Sequence, residues 1–191
     1  GLAIDSTAGE RERRSIEPLL INPVERFHLV TGKWLAASLF AAFGMSVTAV
    51  LCILAMTQVP LADIGLRFSI SWPQVAAIII TTTPLALLAT SLQLWLGIFA
   101  KSFKDAQSYM GLLVLLPILP SMFLLLHPVT TKTWMFAVPV LGQQVLLVDL
   151  IGGKDIPIAG YTLSAVSCVI VSFALVLVTA RLFKRESILT S

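Results

Sequence analysis

Residues 34–56 read WLAASLFAAFGMSVTAVLCILAM, a stretch that contains no charged side chain. A helix of this length reaches about 34 Å at 1.5 Å per residue, enough to cross a hydrocarbon core of about 30 Å. Three more long apolar stretches follow, at about 72–100, 106–126 and 158–183. The sequence therefore predicts an all-α integral membrane protein with about four transmembrane helices.

The composition supports membrane insertion independently of any motif. Hydrophobic residues make up 57% of the chain and charged residues 12%, whereas a soluble domain has about 45–50% and about 25%. The net charge is +3, but the basic residues flank apolar stretches and form no patch with interleaved aromatics, so no nucleic-acid partner is expected. Cys52 and Cys168 lie inside apolar stretches without metal-ligand spacing, and we predict that both are core thiols.

The basic residues also predict the orientation. With four spans, ten of the 13 Lys and Arg side chains fall on one side of the membrane and three on the other. Because cytoplasmic loops carry the excess of basic residues, both ends of the chain are expected in the cytoplasm. The predicted location is the plasma membrane, with multiple crossings.

One apolar segment, 134–153, is not counted as a span. A lipid-exposed Asp costs about 2.5–3.5 kcal/mol on insertion scales, and Pro or Gly weakens a helix interior. A fifth span would also place the basic C-terminal cluster outside. We therefore predict a re-entrant or interfacial helical segment. The interrupting residues are Pro139, Gly142, Gln143, Gln144 and Asp149.

The first 33 residues are predicted to form a cytoplasmic segment, followed by a transmembrane domain at 34–191. Thr7 and Glu10 have the spacing of a capping box, which predicts a helix over about 8–20. Opposite charges stand four residues apart along this helix, and apolar side chains gather towards its far end. From these residues alone, the helix either docks a partner or rests on anionic headgroups.

A longer motif in this segment resembles a known family. DSTAGERERRSIEPLLINPV at 5–24, followed by Gly32-Lys33, resembles the cytoplasmic segment of type-2 ABC exporter permeases, in particular their sodium-efflux branch. FKRESIL at 183–189 is similar to the C-terminal end of that family. The resemblance implies six spans, of which this chain would hold the third to the sixth. The Gly1 start without Met agrees with a missing N-terminal part.

The resemblance also implies a function. The chain would be the permease subunit of an ATP-driven exporter of sodium ions or drugs, paired with a second permease subunit. The 8–20 helix would be the coupling helix that docks a separate ATPase subunit. ATP and Mg²⁺ would bind that ATPase, with no cofactor or catalytic residue on this chain. The expected ATPase contacts are Glu10, Glu12, Arg13, Arg14 and Glu17.

Polar residues within the apolar stretches are candidates for a transport path, because intramembrane polar groups usually face protein or a water-filled cavity. Hydroxyl side chains more often bond carbonyls of their own helix. Thr81, Thr82 and Thr83, for example, are expected to bond the carbonyls freed by the ring of Pro84. The main candidates are Gln93, Gln143, Gln144 and Asp149.

Other functional classes have weaker support in the sequence. Gly152-Gly153-Lys154-Asp155 lacks the spacing and the Ser or Thr of a phosphate loop, and no HExxH motif is present. The sequence has no internal hydropathy repeat of the kind that is typical of secondary transporters. The remaining alternative is a non-transporting membrane anchor or assembly factor that recruits a cytoplasmic partner through the 8–20 helix.

Overall fold

Helices joined by short turns make up the part of the chain that the structure describes. A computed structural model describes residues 26–59, 70–100, 102–126 and 131–189, with side chains except at 26, 103 and 183–189. These ranges contain no strand, and the all-α prediction is confirmed. The predicted 8–20 helix lies outside the described residues. The helices are α1 (Arg26–Gln58), α2 (Trp72–Phe99), α3 (Phe103–Leu126), α4 (Thr133–Phe136), α5 (Leu141–Ile151) and α6 (Ile158–Leu189).

Four of these helices, α1, α2, α3 and α6, are long and apolar enough to cross a membrane, which confirms the predicted number of spans. Large apolar side chains lie on their outer surfaces, as a lipid environment permits. Helix α1 already begins at Arg26, so the predicted boundary between residues 33 and 34 falls inside a continuous helix. The last residues of the predicted cytoplasmic segment and the first span therefore belong to one helix.

Helices α2 and α6 form the most extensive helix contact and run parallel. Leu88 packs beside Cys168, and further along both helices Leu94 packs beside Val176. Both helices therefore begin at one end of the bundle, which we call the outer end in line with the predicted orientation. The opposite end is the inner end. Buried small side chains such as Ser172 allow close approach of the backbones.

Helix α1 packs against α2 through two polar contacts near the inner half of the bundle. The indole Nε1 of Trp34 donates to the carbonyl of Leu87 at 3.0 Å. The hydroxyls of Ser38 and Thr90 lie 2.6 Å apart in a buried contact. Thr90 also lies 2.9 Å from the carbonyl of Ala86 in its own helix, so the two hydroxyls and this carbonyl form one buried polar contact. Helices α1, α2 and α6 thus form one packed unit, which we call the scaffold.

Helix α3 is less enclosed than the scaffold helices. A tight turn joins it to α2 at the inner end, where Ala100 and Ala106 are buried together. Most side chains of its outer half are exposed. Pro117 and Pro120 lie there, and each lacks the amide hydrogen that a helix residue normally donates. Within the described structure, its other main neighbour is the short helix α5.

Two local predictions need correction. Thr82 and Thr83 donate to the carbonyl of Ile79, at 3.0 and 2.9 Å. The carbonyl that loses its donor at Pro84 is instead that of Ile80, four residues earlier. Cys168 is buried as predicted, but Cys52 is exposed. Cys52 lies on the outer part of α1, where most side chains lack neighbours within the described chain.

Candidate functional site

Helices α4 and α5 fold back on each other, and we call residues 131–157 the re-entrant hairpin. Helix α5 has 11 residues and reaches about 16 Å, about half of what a bilayer crossing needs. Its last turn lies at the outer end, since Gln74 near the start of α2 donates through Nε2 to the carbonyl of Leu150 at 3.5 Å. Thr131, at the beginning of the hairpin, contacts Asp149 in the same turn. The segment therefore enters and leaves at one end, and the predicted helical pair is confirmed.

The tip of the hairpin reaches the middle of the bundle. Val140 packs against Leu88 of α2 and Cys168 of α6. Cys168 lies ten residues beyond the start of α6, which corresponds to a depth of about 15 Å. This is about half the thickness of a hydrocarbon core. The hairpin thus brings a backbone turn to mid-bilayer depth inside protein, where non-helical backbone can be tolerated.

The tip has an unusual backbone. Val140 has φ 69° and ψ −54°, and the amide of Leu141 donates to the carbonyl of Pro139 at 2.9 Å. This is a γ-turn of the positive-φ form, which is rare for a β-branched residue. Such a conformation costs about 1–3 kcal/mol and persists only where the surroundings enforce it. The packing of Val140 against two spans supplies that constraint.

Gly142 permits the close approach of the two hairpin helices. A Cβ atom at this position would lie 2.6 Å from the carbonyl oxygen of Phe136 and 2.9 Å from its Cα. The Gly142 amide also donates to the carbonyl of Val138 at 2.8 Å. Because the atoms in conflict belong to the backbone, no side-chain rotation can make room. Gly142 is therefore required by the hairpin itself.

Gln143 fastens the hairpin to α6. Its side chain is fully buried, and its Oε1 accepts a hydrogen bond from the hydroxyl of Ser164 at 2.7 Å. Its Nε2 lies 3.4 Å from both the carbonyl of Ser164 and the Sγ of Cys168. Both ends of the amide are satisfied, as a buried polar group requires.

Gln144 points to a different neighbour, helix α3. Its Nε2 donates to the carbonyl of Pro117 at 2.6 Å. The same carbonyl accepts the hydroxyl of Ser121 at 2.9 Å. Within the described structure, the Oε1 atom of Gln144 is buried and has no hydrogen-bond partner. The two adjacent glutamines thus attach one short helix to two different spans.

Asp149 clamps the open end of the hairpin. Its Oδ1 lies 2.7 Å from the Nζ of Lys154, and its Oδ2 accepts the hydroxyl of Thr131 at 2.8 Å. The amide of Lys154 also donates to the Asp149 carbonyl at 2.9 Å. The carboxylate is almost buried, whereas the Lys154 side chain is 66% exposed. Asp149 therefore joins the chain before α4 to the chain after α5.

A cavity of about 310 Å³ lies between α2 and α3. The tip of the re-entrant hairpin and one residue of α1 complete its wall. Gln93 contributes the polar side chain of this wall, and the other lining residues are apolar. The cavity can therefore take an apolar molecule or the apolar part of an amphipathic one. Its lining residues are Met45, Leu85, Leu88, Ala89, Leu92, Gln93, Met110, Leu113, Val114, Leu116, Pro117 and Val140.

The four residues predicted for a transport path take two different positions. Gln93 lines the cavity, whereas Gln143, Gln144 and Asp149 all lie on α5 and bond the elements around it. In the described part of the chain, no three metal-ligating side chains come together. The predicted ATPase contacts, Glu10, Glu12, Arg13, Arg14 and Glu17, lie outside the described residues.

Several residues of this site were missed by the sequence analysis. Ser164 and Cys168 stand four residues apart and so share one face of α6, which is a pattern that could have indicated a common partner. Pro139 and Gly142 indicated a turn, but nothing in the sequence shows that Val140 takes the strained position. The Pro117 carbonyl is a backbone group, and its role depends on the tertiary contact alone.

Comparisons with known proteins agree with this architecture. A family model described as "ABC-2 family transporter protein" matches residues 2–188. The ABC transporter permease protein NatB of Bacillus subtilis (strain 168) is 31% identical over 192 residues, which cover 98% of this chain and 50% of NatB. The chain thus spans about half the length of this curated relative. No solved structure shows a significant match.

Proposed function

The chain belongs to the ABC-2 family of transporter proteins, and on that premise we propose that it contributes the cargo path to the permease subunit of an ATP-driven exporter. The cavity between α2 and α3 carries this proposal. It lies beside the hairpin tip at mid-bilayer depth. A transporter that opens to one side of the membrane at a time needs a central cavity at this depth. Opening and closing would follow from movement of the cavity walls.

The cavity can be tested by filling it. Ala89 lines the cavity, and Ala89→Trp would occupy much of its volume. In the full-length permease, reconstituted with its ATPase in proteoliposomes, we expect ATP-dependent transport to fall at least tenfold at equal incorporation. Leu125 on α3 is 82% exposed, so Leu125→Trp is the matched control, and this variant should show normal transport. Normal transport by Ala89→Trp would exclude this cavity as the path.

We propose that ATP hydrolysis takes place on a separate subunit, which docks on the predicted 8–20 helix. The charge pattern of that helix and its position in the sequence shortly before α1 support this role. The test is the double reversal Glu12→Arg with Arg13→Glu, followed by co-purification with the ATPase and measurement of ATPase stimulation. Asp155→Arg in the exposed outer loop is the control. Unchanged assembly and unchanged ATPase stimulation would contradict the docking proposal.

For the cargo, the cavity lining favours drugs over sodium ions. A sodium site needs several converging oxygen ligands, such as backbone carbonyls. The described wall offers the Gln93 amide among apolar side chains. We therefore expect hydrophobic drugs to stimulate the ATPase of the reconstituted complex more than sodium does. Gln93→Leu should reduce this stimulation for drugs that carry a polar group. Stimulation by sodium alone would reverse this assignment.

We also propose that a second permease subunit, identical or related, completes the path. Membership of the transporter family supports this partner. The competing function, a non-transporting anchor or assembly factor, predicts partner recruitment without cargo movement. Recruitment that survives in Ala89→Trp, together with wild-type complexes that move no cargo, would favour the anchor.

A further inference from the structure

We propose that Gln144 is a positioning residue, which ties the outer half of α3 to the re-entrant hairpin and so holds the cavity closed towards the outer end. The inference rests on the proposed function for its meaning in transport. The bond itself is a geometric feature, and its effect on the cavity can be measured without any transport.

Helix α3 is attached to the rest of the described structure near both of its ends. At the inner end, α3 is fixed by the tight turn in which Ala100 and Ala106 are buried together. Towards the outer end, the side chain of Gln144 on the hairpin donates to the Pro117 carbonyl of α3 at 2.6 Å. The cavity lies between α2 and α3, and Pro117 is part of its wall. Leu124 of α3 also packs against the apolar cluster of the hairpin, so Gln144 supplies the polar part of the outer attachment. A helix held at two ends around a cavity opens more readily when one of these attachments is weakened.

The hydrogen bond from Gln144 reaches α3 in its proline-containing part. Pro117 and Pro120 each lack an amide hydrogen, so two carbonyls of the preceding turn lose their helical donors. Proline positions are where helices bend most readily. Gln144 therefore attaches the hairpin at the bending point of α3, where one hydrogen bond can select between two helix directions.

The neighbouring glutamine shows what the hairpin does with this attachment. Adjacent residues on an α-helix point about 100° apart, so Gln143 reaches α6 while Gln144 reaches α3. Gln143 is bonded at both ends of its amide inside the scaffold, and Gln144 has one bonded end. The α6 side of the hairpin is thus the fixed one, and the α3 side is the one that can release.

The tip of the hairpin supplies the second wall that would move. Val140 lines the cavity in a strained γ-turn, held by its packing against Leu88 and Cys168. Strain of this kind favours a rearranged tip once the surrounding contacts loosen. Release of Gln144 from Pro117 would therefore loosen the α3 wall and the tip together.

The experiment measures access to the cavity in the full-length permease bound to its ATPase. Exposed Cys52 is replaced by Ser, and Ala89→Cys in the cavity wall serves as reporter. A membrane-impermeant thiol reagent is added from the outer side. We expect Gln144→Met to raise the labelling rate about fivefold, the factor that corresponds to one ordinary hydrogen bond. The chain without the reporter gives the background from Cys168.

Gln74→Met is the control, because it removes a glutamine bond from another span to the same helix α5, together with the contacts by which Gln74 caps α2 at Ser71. Its labelling rate should stay within twofold of the parent. Equal rates for Gln144→Met and the parent would overturn the proposal. An equal rise in both variants would overturn it too, since it would mean that the hairpin had only loosened.

A second variant protects the test against failure of Gln144→Met to fold. A carboxylate at position 144 faces the Pro117 carbonyl without a hydrogen to donate, whereas the protonated acid can donate one. Gln144→Glu should therefore label faster than the Gln144 reporter at pH 8, where a carboxylate is ionised. Equal labelling of the two at pH 8 would contradict the proposal. If Ala89→Trp transports normally while this result holds, the positioning role stands and the proposed path falls.

Discussion

The scaffold and α3 are built from equally apolar helices, but they are held in different ways. The scaffold buries small and polar side chains at its contacts, such as Ser91, Cys168 and Ser172. Helix α3 is rich in leucine and exposes most of these side chains, including Leu112 and Leu119. Lipid is as apolar as leucine, so large apolar side chains alone give little association between membrane helices. Small-residue packing therefore determines which spans are fixed.

The re-entrant hairpin joins these two regions. Its tip and Gln143 lie against the scaffold, and Gln144 bonds α3. Asp149 closes its outer end. A change that breaks the hairpin should therefore affect the whole molecule. A change within the scaffold should be shared among many contacts, and a change on the outside of α3 should have little effect.

Gly142→Ala should have the largest effect on stability. The new Cβ would lie 2.6 Å from the backbone oxygen of Phe136, so the two hairpin helices must separate. Overpacking of this kind costs about 1–3 kcal/mol, and the conflict with backbone atoms places Gly142→Ala at the upper end, so the melting temperature should fall by several degrees. Thermal unfolding of the full-length permease in detergent measures it.

Gly111→Ala on α3 is the control for that experiment, because a Cβ there meets no atom within 4 Å. Its melting temperature should be unchanged or slightly higher, since Ala favours a helix by about 1 kcal/mol over Gly. If both substitutions destabilise equally, the hairpin is no more critical than α3, and the contrast between the two regions fails.

Asp149→Ala should have an intermediate effect. It leaves Thr131 and Lys154 without their shared acceptor, at a cost of about 1–3 kcal/mol. Lys154→Met should cost less than Asp149→Ala, because the Lys154 side chain is mostly exposed and the Asp149 carboxylate keeps its hydrogen bond from Thr131. Thermal unfolding of the two single variants and the double variant measures the coupling.

Asp149→Asn separates the clamp from a direct role in transport. Asn can still accept the hydroxyl of Thr131 but loses the charge that attracts Lys154. We expect slightly lower stability and normal transport rates at equal expression. A variant as stable as the parent that has lost transport would show that the carboxylate serves the cargo directly, as its place among the predicted path residues suggested.

The sequence was sufficient for the layout of the membrane domain, because hydropathy and segment length are local properties. The same holds for the interrupted segment, where Pro139, Gly142 and Asp149 each argue against a simple span. The function of each interruption was not predictable. Whether Gln143 or Gln144 faces a given span depends on how α5 is rotated, which only the tertiary packing determines. The exposure of Cys52 likewise depends on how far α1 extends beyond its neighbours.

The smallest effect is expected within the scaffold, for Ser38→Ala. The variant removes a buried hydrogen bond of 2.6 Å to Thr90, between α1 and α2. Measured hydrogen bonds between membrane helices average about 0.6 kcal/mol, because the separated helices also find partners. Thr48→Ala is the control, since its hydroxyl bonds the carbonyl of Gly44 in its own helix. Thermal unfolding of both variants should show a difference of about 1–3 °C.

A double-mutant cycle with Ser38→Ala and Thr90→Val isolates the bond between the two side chains. A coupling near 0.6 kcal/mol would mean that the scaffold is held by many small contacts, of which this is one. A coupling as large as the cost of Gly142→Ala would contradict this view. Helix α1 would then depend on one polar contact, as α3 depends on the hairpin, and the two regions would differ only in which bond holds them.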